Sequence, residues 1–358
     1  MKFIFFSISI WFLGCLNINQ ELNQIKSKTQ PNLKIRNFQF NYSVEIDPTD
    51  NKKLEMWIPI PQSNEVQTIS NLKINAEGLN YTIEKEKKHN NKYIYINHIN
   101  GTTESKTLEL KFDVSRVEHS NVNYNNVNPN DYLNAYNTVP IGGVFDEIIK
   151  ANNLSNNNVR NTYNYVLQGM HYGKPKSTDN QYYKEPWLAE NEKYGMKKVD
   201  RDQVVNFYKK AKKENGNYTF GNGNSKYACD IGVGNCTDYH SYFMSLNRTM
   251  EIPSRFHMGF SIPTSESGKI GGYHCWADYY IEDEGWYPVD ISEADKNPKK
   301  NDYFFGTIDY NRFEMMVGRD FVLNGLETKS TNLFIYPIME VNDINSLKFN
   351  KSFFYKNL

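Results

Sequence analysis

The chain has 358 residues, 41 Lys and Arg against 41 Asp and Glu, and a formal net charge of zero. That length suits two domains with appendages, and a balanced charge without a basic block excludes a protein that holds nucleic acid by neutralising phosphates. Hydrophobic residues at 39% and aromatics at 15% can fill a core, which excludes a chain disordered throughout.

At the N-terminus, Lys2 precedes an apolar run from Phe3 to Leu13 that closes on Gly14-Cys15. The run is too short to span a bilayer and fits the core of an export signal. Phe12-Leu13-Gly14-Cys15 resembles the bacterial lipobox, with Phe where Leu is usual. It makes Cys15 the expected lipid-attachment residue and residues 16–36 a polar tether above a membrane. The expectation is an exported cell-envelope lipoprotein, with ordinary secretion as the alternative. No later run has the length of a membrane-spanning helix.

From 37 to 118 the pattern has period 2. Phe38, Phe40, Tyr42, Val44 and Ile46 alternate with polar residues, as do Leu54, Met56, Ile58 and Ile60, then Leu108, Leu110, Phe112 and Val114. Asp47-Pro48, Pro61-Gln62 and Asn100-Gly101 mark turns between the runs, so the segment reads as an antiparallel β-sandwich. The Asn-rich stretch 119–145 reads as a linker. Val159, Tyr163, Val166 and Met170 then recur at helical spacing and open a second domain over 146–320. Residues 173–226 look like an insertion. It contains an expected helix near Val204–Ala211 and a Gly/Asn-rich loop at 215–224, a candidate lid. Residues 321–358 read as a C-terminal extension, with one strand suggested by Leu333, Ile335, Pro337 and Met339.

The chemistry concentrates in three segments. Gly232 to His240 reads as a loop opening a helix, on which Tyr239, Phe243, Leu246 and Met250 form the buried face before Ile252-Pro253 stops it. Cys236 then stands in the first turn, where free N–H groups and the helix dipole favour a thiolate and an oxyanion. Arg255–Ile262, Tyr273–Ile281 and Gly285–Asp290 read as strands. Alternation puts His274, Trp276, Asp278 and Tyr280 on one face and Cys275, Ala277, Tyr279 and Ile281 on the other. His274 can serve as base, with Asp290 on the hairpin partner orienting it.

The strings Gly234-Asn235-Cys236-Thr237-Asp238-Tyr239-His240, Gly272-Tyr273-His274-Cys275-Trp276-Ala277-Asp278 and Gly285-Trp286-Tyr287-Pro288-Val289-Asp290 resemble the transglutaminase-like superfamily. The resemblance implies an α+β fold, an N-terminal antiparallel β-sandwich followed by a papain-like core. It also implies a nucleophile, base and acid at Cys236, His274 and Asp290. Asn235, Tyr227, Asp238, His240 and Trp276 are the candidate oxyanion or supporting residues. Of these, Asp238 suits the first-turn dipole, and His240 suits a hydrogen bond within the core better than a role as base. Arg319-Asp320 reads as a structural ion pair. His240, His257 and His274 lack the spacing of a zinc motif, so neither metal nor cofactor is expected.

With Cys236 as nucleophile, Cys229 and Cys275 remain as a candidate disulfide, Cys275 on the face away from His274. The implied activity is acyl transfer from a peptide or protein substrate through a Cys236 thioester, with hydrolysis as the first reading. Amine acceptance, which would make the protein a crosslinker, and a non-catalytic peptide-binding lipoprotein are the alternatives.

Overall fold

The computed structural model of the chain describes residues 34–174, 187–188, 220–326 and 331–358. The export signal, Cys15, nearly all of the tether and most of the 173–226 insertion, with its expected helix, lie outside the described residues.

Strand β1 (Ile35–Ile46) buries every second residue, as the alternation from Phe38 to Ile46 requires. Strand β2 (Leu54–Ile60) is buried along its whole length because it lies between neighbours. Strands β3 (Gln67–Asn75), β4 (Tyr81–Lys85), β5 (Lys92–His98) and β6 (Lys106–Val117) complete the N-terminal set. Helices α1 (Val144–Ala151) and α2 (Val159–Gly169) follow, the latter burying Val159, Tyr163 and Val166. Short strands β7 (His171–Lys174) and β8 (Trp187–Leu188) precede helix α3 (Ser225–Ile231), strand β9 (Val233–Gly234) and helix α4 (Cys236–Thr249). Strands β10 (Ser254–Ser261), β11 (Ser267–Lys269), β12 (His274–Ile281) and β13 (Gly285–Val289) come next. Helices α5 (Ile291–Lys296) and α6 (Asn301–Phe304) lead to β14 (Arg312–Val317), then β15 (Ile338–Val341), β16 (Ile344–Asn345) and β17 (Phe349–Asn357).

The architecture is α+β. Two five-stranded sheets, in the orders β11-β17-β1-β6-β3 and β16-β15-β2-β5-β4, contain the N-terminal strands. A four-stranded antiparallel sheet, β13-β12-β10-β14, carries the helices. Both five-stranded sheets need the end of the chain. β15 pairs with β2 from Ile338–Trp57 to Val341–Leu54, and β17 pairs with β1 from Phe38–Asn357 to Ile46–Phe349. The sequence suggests one C-terminal strand over Thr331–Val341. The structure starts that strand later, at Ile338, and adds β17, whose Phe353 and Tyr355 are buried on alternate positions.

One aromatic core links these layers. The Phe40 ring lies 5.4 Å from Phe112 in its own sheet, and 5.3 and 4.8 Å from Phe260 and Phe313 in the helix-bearing sheet. Phe353 closes the cluster at 4.6 Å from Tyr42 and 4.7 Å from Phe260. Polar contacts reinforce the junction: Glu314 exchanges backbone bonds with the Gln67 side chain at 2.8 and 2.9 Å. Residues 119–145 run against the same sheet through bridges of His119 with Ile308 and Val122 with Trp286.

Helix α4 is buried all round, from Cys236 to Arg248. The expected single apolar face is too narrow a reading. Polar residues of the other faces are also buried because each finds a partner: Ser241 Oγ donates to Thr237 O at 2.7 Å, and the Arg248 guanidinium donates to Ser254 O and Asn134 O.

Phe353→Ala is expected to cost about 3 kcal/mol or more, because it opens a cavity in the shared aromatic core. Phe354→Ala, at a residue 45% exposed, is expected to stay within about 0.5 kcal/mol. Urea unfolding of both variants reads the difference.

Candidate active site

Local chemistry starts α4 at Cys236. Asn235 is the N-cap, and its side chain accepts the N–H groups of Thr237 at 2.9 Å and Asp238 at 3.4 Å. Asp238 returns the bond, accepting Asn235 N–H at 3.0 Å, which completes a capping box. Its carboxylate also accepts the N–H groups of Gly221 at 2.9 Å and Gly223 at 3.1 Å, tying the preceding loop to the helix start. Burial pushes the Asp238 carboxyl up to about 7, against those three donors. Gly234 is needed here: a Cβ on it would lie 2.6 Å from that of Asp238.

Cys236 is buried at this helix start, 4% exposed. His274, the first residue of β12, donates from Nε2 to Asp290 Oδ2 at 2.7 Å. That leaves Nδ1 for Cys236, and the two groups are near enough for each to shift the pKa of the other. Asp290 follows β13 and caps α5, and its Oδ1 accepts Ser292 Oγ at 3.0 Å and Glu293 N–H at 3.1 Å. Arg312, opening β14, donates to Oδ2 from Nη2 at 3.1 Å and from Nε at 3.3 Å. The structure therefore brings together the three residues that the sequence singles out, and adds an arginine.

Residues 190–291 match the model of the transglutaminase-like superfamily. The matched span contains Cys236, His274 and Asp290. An uncharacterized protein of Haemophilus influenzae is 30% identical over 169 residues, covering 38% of this chain and 46% of the relative. The chain thus spans less than half the length of that curated relative. A crystal structure from Cytophaga hutchinsonii, described as a candidate cysteine protease, superposes with a TM-score of 0.50 over 91% of both chains at 9% identity. At that identity the likeness shows the fold.

The electrostatics of the transglutaminase-like core separate the titrating groups. Burial would depress the His274 pKa, but Asp290 outweighs it and pushes it up to about 9. Burial would raise that of Asp290, but His274 and Arg312 hold it well below the usual carboxylate range. The Cys275 thiol and His274 hold the Cys236 thiol well below its usual value despite burial.

The supporting residues divide. His240 has both ring nitrogens committed: one bonds Cys236 O at 2.7 Å and the other accepts Ile291 N–H at 3.0 Å. A nitrogen that accepts carries no proton, so the ring is a neutral strut between α4 and α5, and burial lowers its pKa in the same sense. Trp276 stacks on His257 with centroids 5.6 Å apart, supporting the sheet. Tyr227 is fully buried within α3, its N–H on the Asn224 side chain at 3.1 Å.

Cys275 requires a correction. No disulfide joins it to Cys229. Cys229 contacts Tyr242, whereas Cys275 Sγ lies 3.7 Å from Thr237 Oγ1 and touches the Cys236 thiol. Strand alternation does turn Cys275 toward α4, but α4 is where the nucleophile sits. His274 reaches the same point because it begins the strand.

Sequence reading missed several neighbours. Arg312 is brought in from another strand, and no local motif marks it. Tyr172 carries charge coupling to Cys236 and Glu293. Tyr273 Oη lies 3.2 Å from Thr237 Oγ1, and its N–H donates to Tyr336 Oη at 3.1 Å. Arg319 is more than half of an ion pair. It donates to Ser241 Oγ at 2.8 Å, Thr138 Oγ1 at 2.7 Å and Asn222 O at 3.0 Å, holding the 220–223 loop. The Asp320 carboxylate instead accepts Asn137 N–H at 2.7 Å. Among the described residues, His274, Asp290 and Glu293 bring one ligand atom each within 4.8 Å of one another. Arg312 already supplies a cation there, 3.1 Å from Asp290 and 4.0 Å from Glu293.

Arg312→Met is expected to cost about 3 kcal/mol or more, because it strips the cation from a fully buried carboxylate. Chemical denaturation near neutral pH checks this. Arg312→Lys, which keeps the charge but loses the two-pronged contact, is expected to fall between wild type and Met.

Proposed function

We propose that the protein is a cysteine hydrolase of the transglutaminase-like kind that cleaves an amide bond of a peptide or protein through a Cys236 thioester. The observation that carries this reading is His274 placed between the Asp290 carboxylate and the Cys236 thiol.

The thiolate attacks the amide carbonyl carbon. The Asn235 side chain takes the N–H groups of Thr237 and Asp238, which leaves the Cys236 N–H, at the positive end of α4, for the developing oxyanion. The carbonyl re-forms as the C–N bond breaks, and protonated His274 gives its proton to the leaving amine. Water then attacks the thioester, His274 takes the proton, and the C–S bond breaks to release a carboxylate and restore the thiolate. Asp290 stays ionised and holds the imidazole. An amine acceptor would convert the same thioester into a crosslink, but it would need a second binding surface and exclusion of water, so we assign water. Export and acylation of Cys15 belong to the same proposal and rest on the sequence.

The test is the pH dependence of Cys236 alkylation, followed by mass spectrometry. Asp290 raises the His274 pKa and Arg312 lowers it, while Cys275 and His274 lower that of Cys236. The thiolate–imidazolium pair therefore persists well below the free-thiol pKa. Above about 9 His274 loses its proton, so amide cleavage falls while alkylation does not. In His274→Ala the thiol is expected to titrate near ~8.5, slowing alkylation about a hundredfold near pH ~6.5. Slow wild-type alkylation that rises only near ~8.5, unchanged by the substitution, would make the protein a non-catalytic binder. Given an amide substrate with a primary amine present, release of a free carboxylate identifies hydrolysis, and amine incorporation identifies crosslinking.

A further inference from the structure

Two thiols meet at the start of α4, and the acyl-transfer reaction uses only one. Cys275 is fully buried, its sulfur 3.7 Å from the hydroxyl of Thr237, the residue next to the nucleophile. The Cys275 and Cys236 thiols are near enough for each to shift the pKa of the other. One sits in the first turn of the helix and the other on the strand packed against it. Cys229 is placed differently: it lies against Tyr242, whose ring packs with Phe145 and Tyr165, at centroid distances of 6.1 and 6.2 Å, away from the nucleophile.

We propose that Cys275 is a resolving thiol, and that a hydroperoxide converts Cys236 and Cys275 into a reversible disulfide that switches the site off and shields the nucleophile from irreversible oxidation. The inference rests on the reading of Cys236 as a reactive thiolate. The steps balance. The Cys236 thiolate attacks the outer peroxide oxygen, the O–O bond breaks, and an alcohol or water leaves once protonated, giving a sulfenic acid. The Cys275 sulfur attacks that sulfur, the S–O bond breaks, and water leaves. The two thiols together lose two electrons and two protons, and the hydroperoxide gains them. A dithiol reductant reverses the bond through a mixed disulfide.

The two sulfurs have different tasks, and their surroundings suit them. Cys236 is the acidic one, able to meet an oxidant. Burial and the neighbouring Cys236 raise the pKa of Cys275, which keeps it a thiol until the sulfenic acid forms beside it. No residue has to cross the site, because the contact already exists in the reduced protein.

The experiment treats the reduced full-length chain with excess hydrogen peroxide, digests it without reduction and reads the peptides by mass spectrometry. The expected product is the Cys236 peptide joined to the Cys275 peptide, with complete loss of Cys236 alkylation that dithiothreitol restores in full. In Cys275→Ala the same treatment is expected to drive Cys236 to sulfinic or sulfonic acid, and dithiothreitol is expected to restore nothing. Cys229→Ala is expected to behave as wild type, so that a general effect of losing a cysteine is separated from loss of the resolving thiol. A Cys236 that alkylates rapidly near neutral pH but never joins Cys275 overturns this inference and leaves the proposed function standing. A Cys236 inert to both iodoacetamide and peroxide overturns both. Joining of Cys236 to Cys229 in place of Cys275 overturns the assignment of the partner.

Discussion

The buried charge of Asp290 is the constraint around which the site is assembled. Its carboxylate is fully buried and accepts from His274, Arg312, Ser292 and the N–H of Glu293. A carboxylate without water must find such donors or cost several kcal/mol. The donors come from the starts of two strands and of a helix, and Asp290 itself follows β13, so satisfying one anion sets the relative positions of β12, β13, β14 and α5. Cation and anion requirements then coincide with the chemical one. Arg312 stabilises the charge without consuming the bond to His274, and His274 remains oriented toward Cys236.

Around that anchor, α4 acts as the axis of the helix-bearing sheet. Its first turn supplies Cys236, its cap supplies Asn235, and Asp238 binds back to the loop at 221–223. Arg319 grips the same loop from the far end of the chain. Gly223 has φ +62° and a Cβ there would meet the Arg319 guanidinium at 2.6 Å. Position and identity are thus coupled: the glycine admits the arginine, and the arginine with Asp238 holds the loop that precedes the nucleophile. The β-strands outside the helix-bearing sheet contribute stiffness. Phe40 and Phe353 pack on Phe260, so the sheet that carries His274 is backed by the same aromatic core that lines the paired strands β1 and β17.

Oxidation and catalysis draw on the same local field. The helix start and the imidazole that favour a thiolate for attack on a carbonyl also favour attack on a peroxide. A neighbouring thiol is a way to limit that liability, since a disulfide is recoverable and a sulfonic acid is not. Position 275 lies on the face of β12 that packs against α4, so any side chain there faces the first turn of the helix. Cysteine at that position makes the contact chemical as well as steric.

Much of this was legible along the chain, for physical reasons. Period 2 from Phe38 to Ile46 dictates a strand with one buried face, and the structure has it. Helical spacing of Val159, Tyr163 and Val166 dictates a buried helix face. The loop opening a helix at Gly232–His240 puts Cys236 in a first turn, and the structure adds the capping box of Asn235 and Asp238. The strings around Cys236, His274 and Asp290 carry the resemblance that the superfamily match repeats. These are local signals, set by backbone geometry and side-chain chemistry within a few residues. What the tertiary structure alone decided is which distant groups meet. The pairing of β17 with β1, Arg312 on Asp290, Arg319 on the 220–223 loop, and Cys275 against Cys236 in place of Cys229 all depend on how sheets and helix stack. Alternation told which side of β12 Cys275 occupies but not what lies on that side, because a strand's periodicity records its own two faces and nothing of the element packed against them.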